Sequence, residues 1–134
     1  MADEIQKFTK LTFLIHLVLG LIFTVMYWIP EISAPLFGLT YTAQSGALSM
    51  IIGAATAGLT ATSLFGYVSQ EWKEVKIVVI NEIVWLAGSL IALIINVTVF
   101  GLSSILLFIV VIALLLLFLL SFLQQEEIIG ELIK

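Results

Sequence analysis

Two ionisable side chains stand inside long apolar runs of this chain. His16 lies within residues 11–29, LTFLIHLVLGLIFTVMYWI, and Glu82 lies in the run that begins near residue 76. An ionised carboxylate at the centre of a bilayer costs about 2.5–3.5 kcal/mol on insertion scales. Glu82 must therefore be protonated, paired or reached by water, and His16 is the one cationic candidate inside a span. Three readings follow. The pair could form a proton-coupled or small-solute site, with Glu82 titrating and His16 as partner or relay. It could be a hydrogen-bonded clamp that holds helix register with Glu82 neutral. Or Glu82 could reach back to the inner interface.

Depth favours a shared site. Each residue stands about seven positions from the inner end of its helix, so at 1.5 Å rise per residue both sit roughly 10 Å below the inner surface. The second apolar run passes that level in the opposite direction with Thr60, Thr62 and Ser63, and the third adds Asn81. The fourth offers only Leu116 and its neighbours. The expected site is one polar cluster of His16, Thr60, Thr62, Ser63, Asn81 and Glu82, buried among the first three spans. Thr9, Thr12, His16, Gly20, Thr24 and Tyr27 form one stripe at helical spacing. Asn81, Trp85, Gly88, Ala92 and Asn96 form a matching stripe on the third span, with Trp85 expected against small residues of the second span and Asn96 bonded across to it.

The elements that position these groups are helices of about 9–29, 45–68, 76–99 and 104–123, followed by an amphipathic tail at 124–134. They make one membrane domain over 1–134. The chain is 62% hydrophobic and only 10% charged, against about 45–50% and about 25% in soluble domains. The first run is longer than a signal-peptide core of about 7–15 residues, so it is expected to remain as a transmembrane helix. Pro30 and Pro35 should end it, with Ile32–Leu39 lying near the headgroups and Tyr27, Trp28 and Tyr41 forming the outer aromatic belt. Small residues four apart allow close helix contact in lipid. On the second span, Ser49, Gly53, Ala57 and Ala61 form one such row, and Ala54, Gly58, Thr62 and Gly66 another. With Gly20 and Gly88, they mark the expected packing surfaces and make the second helix the centre of the bundle. The fourth helix, with only Ala113 and Ser121 as small residues, becomes an outer wall facing lipid.

The cations set an expected orientation. Lys7 and Lys10 precede the first span, Lys73 and Lys76 lie between the second and third, Lys134 ends the chain, and there is no Arg. Cytoplasmic retention of Lys then places both termini inside. A net charge of −4, with no basic patch, argues against nucleic-acid binding. The chain lacks Cys, which removes disulfides, thiolate metal sites and thiol catalysis. Without a second His or a Cys, His16 is a poor haem or metal ligand, and no cofactor is expected. Asn96-Val-Thr98 fits a glycosylation pattern but lies against the membrane, so modification is not expected.

Gly20-Leu21-Ile22-Phe23, Pro35-Leu-Phe-Gly-Leu39 and the stretch from Gly46 to Gly58 resemble small four-helix membrane proteins of the DoxX-like kind. The resemblance implies the four-helix architecture and transfers no functional residue. The expected fold is all-α, a four-transmembrane-helix bundle with both termini cytoplasmic. The first functional expectation is a non-enzymatic accessory or structural subunit of a prokaryotic plasma membrane, associating with itself or other membrane subunits. The alternative is an oligomeric proton-coupled or small-solute transporter using His16 and Glu82. Acid–base work on a lipid-like substrate comes third.

Overall fold

The computed structural model describes residues 4–100 and 105–128. Among them the chain is helical throughout: α1 (Lys7–Trp28), α2 (Pro30–Leu36), α3 (Ala43–Val68), α4 (Trp72–Ile95), α5 (Val97–Phe100) and α6 (Ile105–Gln125). No strand occurs among the described residues; a single antiparallel bridge joins Glu4 to Glu71. Helices α1, α3, α4 and α6 are long and apolar enough to cross a membrane. Lipid offers the backbone no hydrogen-bond partner, so each apolar run closes its own bonds as a helix. The architecture fits a multi-pass membrane protein.

Local chemistry sets the ends. Thr42 caps α3 reciprocally: its hydroxyl accepts from the Ser45 amide, and the Ser45 hydroxyl accepts from the Thr42 amide. Pro30 does not simply end α1. It occupies the first turn of the short helix α2, where a missing amide costs nothing, and Pro35 lies within that helix. Gly38, at φ 72°, then turns the chain. The Leu39 amide reaches back to the Ala34 carbonyl at 2.8 Å and the Gly38 amide to Pro35 at 3.1 Å, a left-handed cap that glycine takes without a Cβ penalty. The third span lies four residues earlier than expected: α4 begins at Trp72 and stops at Ile95, where Asn96 caps it, and α5 follows. The expected turn at 100–104 falls mostly outside the described residues, as does the tail beyond 128.

The bundle is a ring in which α1 packs most closely on α3 and α4 on α6, with α1 also against α6 and α3 against α4. This corrects two expectations. The second span is not the packed centre, and the last is not an outer wall. Val111, Leu114, Phe118, Ser121 and Gln125 of α6 are buried, a seam at alternating spacings of three and four. A sequence of Leu, Ile, Val and Phe hides such a seam because all its faces are equally apolar.

At one end, here called the charged end, the N-terminal segment, the α3–α4 connection and the end of α6 meet. The Ile5 amide donates to the Gln70 carbonyl at 2.9 Å. Buried Gln125 accepts from the Gln6 amide at 2.7 Å and from the Thr9 hydroxyl at 3.3 Å, and donates to the Glu4 carbonyl at 3.0 Å. Glu126 accepts from the Trp72 indole and from Lys76, the latter at 2.9 Å.

Candidate functional site

Each long helix turns a narrow polar-containing stripe inward. On α1 this stripe is Thr9, Thr12, Phe13, His16 and Gly20. On α3 it is Gly53, Thr60, Ser63 and Gly66, within a longer buried set. On α4 it includes Val79, Glu82 and Leu86. The stripes meet at His16. Its Nδ1 lies 2.6 Å from the Ser63 hydroxyl, and its Nε2 lies 3.6 Å from Glu82 Oε2. The Thr62 hydroxyl donates to the Leu59 carbonyl at 2.7 Å and lies 3.4 Å from Glu82 Oε1 as a longer, shared contact. Glu82 is 0% exposed and His16 6%.

At 3.6 Å the imidazole and the carboxyl group are neighbours but beyond hydrogen-bond length. Oε2 has no hydrogen-bond partner among the described residues. A buried polar atom left without a partner costs about 1–3 kcal/mol, so this one stands out in a bundle that satisfies nearly all its other buried side-chain atoms.

Towards the charged end the pair is sealed. Phe118 lies edge-on to both His16, at 5.3 Å between ring centres, and Phe13, at 5.7 Å. The Phe13 ring fills the space over Gly66, where a Cβ would come within 2.5 Å of it. Below this aromatic layer the Ser121 hydroxyl donates to Thr12 at 3.0 Å, and the Thr9–Gln125 contact closes the stack.

Away from the charged end the bundle opens. A cavity of about 350 Å³ is lined by all four long helices, with His16 among its lining residues. Its walls are mainly leucine, valine, isoleucine and phenylalanine, with Tyr27, Thr56, Ser89 and Asn96 as polar points. The lining residues from α1 and α6 are buried or half-buried, whereas Ile52 of α3 and Trp85 of α4 are each 43% exposed. The cavity therefore opens sideways between α3 and α4, the ring neighbours that touch least. Such a concave apolar site with a few convergent polar groups is the usual form of a small-molecule site.

The structure brings together His16, Thr62, Ser63 and Glu82, as the depth argument requires. Thr60 is nearby but engaged elsewhere: its hydroxyl donates to the Thr56 carbonyl at 2.8 Å, and its side chain fills the space over Gly20. Asn81 is exposed on the outside of α4, because one residue along a helix turns about 100° away from Glu82. The reading in which Glu82 reaches back to the interface is overturned by its complete burial. Asn96 does not bond across to α3; its amide donates to its own helix at Ala92, at 2.8 Å. Trp85 faces the cavity instead of packing on small residues.

The packing residues divide. Gly20 faces Thr60, Gly53 faces Trp28 and Gly66 faces Phe13, each too closely for a Cβ. The Ser49 hydroxyl donates to the Tyr27 carbonyl at 2.9 Å, and Ala57 is half-buried. Gly58 and Gly88 have nothing within 4 Å of where a Cβ would stand, so neither is a packing contact within the chain. The buried α3 positions, Gly46, Gly53, Thr60, Ser63 and Gly66, are spaced by seven and then by three, whereas the fixed four-residue rows drift off the interface.

Two features escaped the sequence. Phe118 and Gln125 of α6 seal and plug the site, and only Gln125 carried a signal, as a polar residue beside a uniform apolar run. Among the described residues no group of His and acids could hold a metal ion. Comparison with protein-family models, curated proteins and solved structures finds no match.

Proposed function

We propose that this chain is a small multi-pass membrane protein that binds a membrane-dissolved, mostly apolar small molecule, admitted sideways between α3 and α4. The observation that carries this reading is the lipid-facing cavity of about 350 Å³ with His16 in its lining. Binding is favoured over transport because the cavity reaches His16 from one side only, with Phe13, Phe118 and the Thr12–Ser121 contact closing the other. The hydroxyl bonded to His16, that of Ser63, is 0% exposed and does not line the cavity, so no hydroxyl paired with the imidazole faces a bound molecule. The proposed role is therefore non-enzymatic. The lysines further support an orientation with the charged end cytoplasmic.

The test is purification of the intact protein in particles cut from its native membrane, followed by mass spectrometry of the extracted small molecules. A stoichiometric apolar species beyond bulk lipid is expected, and Ala92→Phe, which fills the cavity from an exposed lining position, should lose it. Wild type carrying nothing beyond bulk lipid would overturn the proposal.

A second reading, association with another copy or with partner subunits, is favoured by one observation. Ala54, Gly58 and Ala61 lie on one exposed face of α3, with open space at Gly58. Gly58→Leu should then weaken oligomer crosslinking in membranes without lowering the stability of the monomer. Unchanged crosslinking would remove this reading.

A further inference from the structure

The cavity changes in polarity along the bundle axis. His16 forms part of its floor, at the end nearer the charged end, but both imidazole nitrogens are turned elsewhere. Nδ1 faces Ser63 and Nε2 faces Glu82, and neither partner lines the cavity. His16 therefore presents ring carbon to a bound molecule. Leu19, Gly20, Leu59, Leu86 and Leu114 surround it within about one helical turn, a rise of about 5–6 Å. The one N–H or O–H among lining side chains at that level is the Trp85 indole, at the exposed mouth.

Polar lining groups begin further along. Ser89 stands seven residues beyond Glu82 on α4, and Thr56 seven before Ser63 on the opposed helix α3, so both lie about 10 Å above the pair. Tyr27, eleven residues beyond His16, lies about 16 Å above it. The Thr56 hydroxyl is taken up by the Ile52 carbonyl at 2.9 Å. The hydroxyls of Tyr27 and Ser89 line the cavity and make no hydrogen bond among the described residues. The connections at this far end, 29–42 and 96–104, hold no Lys or Arg, and their one acid, Glu31, does not line the cavity. A charged head group would find no counter-charge there, and an unpaired charge is costly to bring out of water.

Shape narrows the class further. At about 30 Å³ per heavy atom, a value taken from liquid water, the cavity of about 350 Å³ holds roughly a dozen heavy atoms. Spread over the rise of about 16 Å from His16 to Tyr27, they advance by about 1.3 Å each, as in a zigzag chain with bonds of about 1.5 Å. A compact ring system of equal volume would leave one end of the chamber empty. The rise also matches half the hydrocarbon core of a bilayer, about 15 Å, the depth one leaflet's chain occupies.

Resting on the binding reading above, we propose that the ligand is an uncharged single-chain amphiphile, held with its tail tip on the His16 ring and its hydrogen-bonding head at the level of Tyr27. The tail meets only carbon at the floor, and the head takes up the Tyr27 hydroxyl that the bundle leaves unbonded.

Trp85 lines the cavity, while Trp28 and Trp72 do not, which supplies an optical readout of orientation. It stands three residues beyond Glu82, about 5 Å above the floor. Bromine quenches a tryptophan it touches. The full chain in lipid nanodiscs is titrated with 1-(12-bromododecanoyl)glycerol, 1-(2-bromododecanoyl)glycerol, 12-bromododecyl phosphate and a brominated sterol. The signal is the saturable quenching that Trp85→Phe abolishes. Held tail-first, the terminal bromine lies beside Trp85 and quenches it. The 2-bromo isomer, with its bromine about 11 Å further along, leaves Trp85 unquenched. The phosphate is expected to need about a tenfold higher membrane mole fraction for half-saturation. Tyr27→Phe should raise half-saturation by the terminal-bromine glyceride about fivefold without changing the isomer pattern. Quenching by the 2-bromo isomer equal to or above that of its partner overturns the tail-first assignment and leaves the cavity reading intact. Binding of the phosphate or the sterol as tight as that of the glyceride, or an unchanged half-saturation in Tyr27→Phe, overturns the ligand class and again leaves the cavity reading intact. Absence of saturable quenching with every probe overturns both. The isomer comparison is made in wild type, so it decides the orientation even if a variant fails to fold.

Discussion

Replacing Gly20 by Ala drives a Cβ into the Thr60 hydroxyl oxygen and sets it 3.2 Å from the Thr60 Cβ, where ordinary contact begins at 3.4 Å. Thr60 cannot swing aside freely, because its hydroxyl is bonded to the Thr56 carbonyl at 2.8 Å. The pair must therefore yield by roughly 1 Å, and overpacking of this kind typically costs about 1–3 kcal/mol. A gap of 0.5–1 Å along the α1–α3 interface also forfeits about a quarter to a half of each dispersion contact there. In lipid that packing is the main force between helices. About 2 kcal/mol of destabilisation is expected for Gly20→Ala. Gly58→Ala and Gly88→Ala, where nothing lies within 4 Å, should stay within about 0.5 kcal/mol of wild type. Adding Thr60→Ala to Gly20→Ala removes the clashing hydroxyl and should recover most of the loss, a favourable coupling of about 1 kcal/mol. The assay is unfolding of the full chain in mixed micelles with rising sodium dodecyl sulfate, followed by far-ultraviolet circular dichroism. If Gly20→Ala costs no more than Gly58→Ala, or the second substitution recovers nothing, the reasoning fails.

Further outcomes follow from the same geometry. His16→Ala leaves both the Ser63 hydroxyl and Glu82 without their imidazole neighbour and should cost about 1–3 kcal/mol in the same unfolding assay. With His16 already gone, Ser63→Ala should cost almost nothing more. At the charged end, hydrogen bonds from Lys76 first and the Trp72 indole second hold the Glu126 carboxyl below its ordinary range. Its contribution is therefore complete above the unfolded carboxylate value of about 4.3 and is lost as pH falls through the lower folded value. Melting temperature recorded from pH 7 to pH 3 should show this acid loss in wild type and a flatter profile in Glu126→Gln. Because the chain has no cysteine of its own, single-cysteine variants report orientation cleanly. Thr40→Cys should react with an impermeant maleimide on intact cells, and Glu71→Cys only after the membrane is opened. The reverse pattern would invert the orientation read from the lysines.

Composition and apolar run length determined that this chain forms helices able to cross a membrane, because lipid leaves the backbone no alternative. Counting residues from helix ends was enough to level His16 with Glu82 and Ser63, since rise per residue is constant whatever the neighbours. Azimuth was less legible. A one-residue offset sends Asn81 outward while Glu82 turns in, and fixed four-residue rows misplaced Gly58 while finding Gly53 and Gly66. Which helices adjoin was legible only in part: the shared level of the polar groups joined the first three spans, and the place of the fourth was hidden. The apolar residues of α6 look alike on every face, so only the assembled bundle could show that Phe118 and Gln125 close the site from below. The cavity, too, belongs to no single helix. It exists because α3 and α4 touch least among ring neighbours while α1 and α6 form its back wall, an outcome of pairwise packing that no local pattern encodes.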